Sequence, residues 1–93
     1  MSKEAEICDV ISTDNTLWRR IMGTYFRKHG KDAAYPHANI PIVEYENKYY
    51  AVLYNGVNDI LDVYRIIEDT PYNFTLKSIN VQWFKEITKK IWE

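Results

Sequence analysis

Cysteine, glycine and proline are all scarce in this chain: one, three and three among 93 residues. A lone cysteine cannot close an internal disulfide, which excludes a disulfide-built secreted scaffold. Gly23, Gly30 and Gly56 stand far apart, so neither a P-loop nor a dinucleotide-binding fingerprint is present. Soft or imidazole metal ligands are confined to Cys8, His29 and His37, with no Cys-x-x-Cys and no His-x-x-x-His spacing. Scattered ligands of this kind do not define a zinc site, and we expect no metal and no cofactor. No apolar run reaches the roughly 18–20 residues that span a bilayer. The first six residues carry no apolar signal core. These absences lead us to expect a cytoplasmic protein that does not meet a membrane.

Catalytic groupings are equally thin. No glycine-rich elbow or oxyanion-hole sequence surrounds Cys8, so a thiol–imidazole pair with His29 or His37 has nothing to complete it. Paired carboxylates are available at Glu44 and Asp62, but turn chemistry and solvation account for the other acidic neighbours. Asp62 stands out because apolar residues flank it. An edge-protecting charge or a partner for Lys48 or Arg65 is its simplest role. On this reading the chain is not an enzyme.

What is present is hydrophobic patterning, aromatic residues and segregated charge. With no repeat, linker or low-complexity tract, residues 1–93 read as one compact domain. In residues 4–11, Ile7, Cys8, Val10 and Ile11 recur at spacings of three and four, the period of a short helix. Residues 12–15, Ser-Thr-Asp-Asn, offer capping side chains. A helix is predicted over about 15–29, with Leu17, Trp18, Ile21, Met22, Tyr25 and Phe26 on one half of its wheel and Gly30 as its stop. Pro36 and Pro41 keep the connector that follows out of regular helix. Strands are expected at about 42–45, 49–55, 60–67 and 74–79, where β-branched and aromatic residues concentrate. The turns fall at Asn47-Lys48 and at 55–59, and Thr70-Pro71 breaks the third strand. Asn80 caps a last helix over about 81–92 that carries Trp83, Phe84 and Trp92. The fold class is α+β: a small antiparallel meander of three to four strands, flanked by an N-terminal and a C-terminal helix.

Register decides which residues are open to partners. A turn at Asn47-Lys48 pairs Tyr45 with Tyr50 and Val43 with Val52. A four-residue loop after it pairs Val52 with Val63 and Tyr54 with Leu61. One face then holds Val43, Tyr45, Tyr50, Val52, Tyr54, Leu61 and Val63, which reads as core. The other holds Ile42, Glu44, Tyr49, Ala51, Leu53, Ile60, Asp62, Tyr64 and Ile66. That face is too apolar for open solvent, so a helix covers it or a partner does. We expect a partner, with Tyr49, Tyr64, Ile66 and Asp62 of this aromatic face as its contact residues.

Charge is divided along the chain. Residues 1–16 carry −3, residues 17–31 carry +5, residues 32–76 carry −5 and residues 77–93 carry +2. Arg19, Arg20 and Arg27 lie opposite the apolar stripe of the first helix, with Gly23 among them, and Lys28 follows. Arginine suits bidentate contact with phosphate or carboxylate. The sequence pI of about 6.1 argues against strong nonspecific DNA binding, which needs a net basic field. Ile, Asn, Lys and Tyr make up 34 of the residues, a bias typical of A/T-rich genomes. Our expectation is a non-enzymatic protein-interaction module, an adaptor or inhibitor-like regulator of the sort phages and mobile elements encode. It has a protein partner or a second copy of itself. The alternative is a nucleic-acid-binding regulator working through Arg19, Arg20, Arg27 and Lys28.

Overall fold

The structure is a computed structural model that describes residues 4–56, 59–70 and 73–91. The elements are β1 (Glu6–Ile11), α1 (Thr16–His29), β2 (Ile40–Tyr45), β3 (Lys48–Tyr54), β4 (Ile60–Thr70), β5 (Asn73–Ser78) and α2 (Val81–Ile87). The fold is α+β. Its sheet is an antiparallel meander in the order β1-β2-β3-β4-β5.

The sheet has five strands where three to four were expected, because residues 6–11 form a strand and not a helix. A bulge at Cys8 explains the misleading period. Ile7 pairs with Val43 and Val10 with Pro41, so both lie on one face. Ile11 pairs with Ile40 and is buried on the other. The extra residue converts a two-residue alternation into spacings of three and four.

The first hairpin turns at Glu46-Asn47, one residue earlier than expected. Both residues have positive φ, 51° and 64°, the signature of the primed turns that match strand twist. Val43 therefore pairs with Tyr50 and Tyr45 with Lys48. The register differs by two residues from the expected one, so each side chain keeps its predicted face. In the next hairpin Val52 does pair with Val63, but a bulge at Leu61 makes Tyr54 pair with Ile60. Ile60 thereby joins the α2 side and Leu61 the α1 side.

The helices stand on opposite faces of the sheet. Ile21, Met22 and Tyr25 of α1 pack on Ile11, Ile40, Ile42, Ala51, Leu53 and Tyr64. Phe84 of α2 packs on Ala5, Val43, Tyr50, Val52, Ile60 and Val63. The domain thus has three layers with a core on each side of the sheet, which explains why neither sheet face reads as polar.

Local chemistry fixes the helix ends. The Asn15 side chain accepts from the Leu17 N–H at 2.8 Å, and the Gly30 N–H donates to the Phe26 carbonyl at 2.9 Å. Gly30 has φ 91°, a conformation that a side chain disfavours. Asn80 accepts from the Trp83 N–H at 2.9 Å and starts α2 as expected. That helix closes at Ile87, and residues 88–91 continue as turns. Pro71 and Trp92, to which the sequence reading gave roles, lie outside the described residues, as do positions 57–58 of the second turn. β4 runs through to Thr70. Trp18 Nε1 donates to the Ala38 carbonyl and Tyr25 Oη to the Ala34 carbonyl, each at 2.8 Å. Together they hold the proline-containing connector against α1.

Candidate functional site: an arginine-lined groove

Between α1 and the edge strand β5 lies an open groove of about 800 Å³. Thr16, Arg19, Arg20, Gly23, Thr24 and Arg27 form one wall, and Phe74, Thr75 and Leu76 form the other. The α1 residues converge because their sequence spacing places them within one arc of the helix, at 100° per residue. A Cβ added at Gly23 would meet no atom within 4 Å, so the middle of this wall is open space.

Arg20 donates to the Phe74 carbonyl at 2.7 Å, and its guanidinium lies 5.8 Å from the centre of the Phe74 ring. Arg27 reaches the Thr24 hydroxyl at a long 3.4 Å. Among the described residues, no carboxylate pairs with Arg19, Arg20 or Arg27; the ion pairs are Lys28–Asp62, His29–Asp62 and Lys90–Glu4. Three guanidinium groups lining one groove without an internal counter-charge can bind anionic groups in bidentate fashion.

Lys28 does not join them. It turns under α1, where its Nζ donates to Asp62 at 3.2 Å and to the Ser78 hydroxyl at 2.9 Å. Asp62 lies beneath the end of α1, only 2% exposed. Its Oδ2 also meets His29 Nε2 at 2.7 Å, while its Oδ1 accepts the Val63 N–H at 2.9 Å. Burial pushes the Asp62 carboxyl upward, but contacts from His29, Tyr64, Val63 and Lys28 more than offset it and hold its pKa below the ordinary value. Its partners are therefore Lys28 and His29, where sequence reasoning pointed to Lys48 or Arg65. Its Oδ2 ties α1 to β4, while its Oδ1 is bonded within β4.

Tyr64 is fully buried under α1, and its hydroxyl has no well-formed hydrogen bond. Burial first, and the neighbouring Asp62 carboxylate second, push its pKa far up, so the phenol stays protonated. Ile66 is half-buried against the same core. The helix α1 thus covers the apolar face that was expected to meet a partner. Tyr64 and Asp62 cannot serve as contacts while it does. Of the four residues nominated there, Tyr49 alone is well exposed, at 45%. The neighbouring Glu44 carboxylate raises the Tyr49 pKa.

The remaining candidates are dispersed. Cys8 lies exposed in the β1 bulge, and His37 stacks on Tyr54 with 5.0 Å between ring centres. No cluster of three or more His, Cys, Asp or Glu suited to a metal occurs among the described residues. No helix among them is long and apolar enough to cross a membrane. The β5 wall was missed from sequence, since residues 74–76 become neighbours of 16–27 only through the meander. The chain matches no protein family, no curated protein and no solved structure at a significant level.

Proposed function

We propose that this chain is a non-enzymatic protein-interaction module, an adaptor or inhibitor-like regulator, that grips an acidic surface of a protein partner in the α1–β5 groove. The observation that carries this reading is the convergence of Arg19, Arg20 and Arg27 on one open groove, with no carboxylate paired to them among the described residues. The role of Asp62 supports the non-enzymatic part. A carboxylate that is 2% exposed and engaged by His29, Lys28 and the Val63 N–H holds a helix in place and is not presented to a substrate.

Net charge favours a protein over a long polyanion. The chain carries −1 and residues 17–31 carry +5, so everything else carries −6. A nucleic acid reaching beyond the groove would run against that acidic remainder, whereas a folded partner can offer a local acidic patch. One observation favours nucleic acid as the second reading: the open space over Gly23 lets a phosphodiester backbone come close. Fluorescence anisotropy at low salt, with labelled poly-glutamate and labelled single- and double-stranded DNA, separates the two. Poly-glutamate binding that is lost in an Arg19→Glu/Arg27→Glu variant supports the protein reading. Preferential DNA binding with a steep salt dependence replaces it with the nucleic-acid reading. Failure of all three probes to bind refutes the groove as an anion site.

A further inference from the structure

Among the described residues, Phe74 and Leu76 of the second wall lie on a sheet edge that no further strand pairs. β5 is bonded to β4 on one side and is the last strand of the sheet. Within a strand, successive residues direct their N–H and C=O groups to opposite edges. Ile79 donates its N–H to the Val63 carbonyl at 3.0 Å, which assigns the odd positions to the β4 side. The Phe74 carbonyl accepts instead from the Arg20 side chain at 2.7 Å, outside the ladder. Phe74, Leu76 and Ser78 therefore direct their main-chain groups to the free edge, beside the arginines. The Arg20 guanidinium occupies the place where an added strand would donate an N–H, and a charge on an edge is a common guard against unwanted pairing.

Resting on the reading of the groove as a seat for an acidic protein, we infer that the partner enters as an extended acidic segment that adds to β5 as a sixth strand. Its main chain pairs with Phe74, Leu76 and Ser78, and its carboxylates take Arg19, Arg20 and Arg27. Arg20 exchanges the Phe74 carbonyl for a carboxylate as the strand arrives. The spacings are compatible. Same-face side chains four residues apart on a strand are separated by about 13–14 Å, and Arg19 and Arg27 lie about 12 Å apart along the helix. Main-chain pairing supplies affinity here and the arginines supply selectivity for acidic sequence.

The test compares a ten-residue peptide of alternating Glu and Val with the same peptide N-methylated through its central residues. N-methylation keeps every charge and removes the donors. We expect the plain peptide to bind, to slow amide exchange at Leu76 and Ser78, and to bind at least about tenfold tighter than the methylated form. Equal binding of both peptides, without protection on β5, overturns strand addition and leaves the anionic groove standing. Failure of both to bind, at low salt, overturns the groove reading as well. Protection of these amides by raised protein concentration alone, with a matching rise in mass by light scattering, makes a second copy the occupant and overturns the acidic-partner proposal.

Discussion

Replacing Asp62 by Asn should be the most informative single change in the scaffold. Three donors converge on this carboxylate: His29 at 2.7 Å, Lys28 at 3.2 Å and the Val63 N–H at 2.9 Å. An amide of the same shape has one acceptor oxygen, so in either orientation its NH₂ group faces a donor. A buried donor left without an acceptor costs about 1–3 kcal/mol. Loss of the charge assistance adds less than for a sealed ion pair, because Lys28 and His29 side chains are 43% and 34% exposed and recover water. We expect Asp62→Asn to destabilise the domain by roughly 2–3 kcal/mol at pH 7. For a domain of this size that corresponds to a fall in Tm of roughly 10–20 °C. Urea denaturation at a series of pH values is the assay. The folded-state pKa of Asp62 is depressed, so its stabilisation is present above the ordinary value of 3.8 and disappears as pH falls through the lower folded value. The gap between parent and variant should therefore narrow below about pH 4. A difference under about 0.5 kcal/mol at neutral pH, or a gap that stays constant into acid, refutes the account of how α1 is anchored.

Two further changes probe the core and the groove. Tyr64→Phe should leave stability within about 0.5 kcal/mol of the parent or raise it, since the buried hydroxyl has no well-formed hydrogen bond to lose; a loss above about 1.5 kcal/mol in urea would establish a strong bond to Asp62. Gly23→Ala should raise stability by about 0.5–1 kcal/mol, because the helix interior gains a better former and the new Cβ meets open space. A thermal melt checks this, and a loss of stability would show that the helix does not sit as described.

Much of the architecture was legible in the sequence. Asn15 and Gly30 bounded α1, Asn80 started α2, and β-branched and aromatic runs located four strands. The strand at 6–11 was not legible. Its bulge at Cys8 imposes spacings of three and four, and most of its side chains are exposed, so burial imposes no alternation on it. The hairpin register was misplaced by two residues without moving side chains to the wrong face, because strand faces depend on parity alone. The exception was the pair Ile60 and Leu61, exchanged by a bulge that alternation cannot reveal.

The candidate site divides along the same line. Sequence by itself placed Arg19, Arg20, Gly23 and Arg27 on one helix face, since helical period is a local property. It also left the apolar second face of the sheet in need of a cover. Tertiary structure decided what that cover is. By laying α1 over Tyr64 and Asp62, it turned expected partner contacts into core and drew Lys28 inward onto a carboxylate 34 positions away. It also set β5 beside the arginines and so formed a groove from segments some fifty residues apart, as the Arg20–Phe74 separation of 54 records. Contacts at that range arise from chain topology and packing, and no local pattern of residues encodes them.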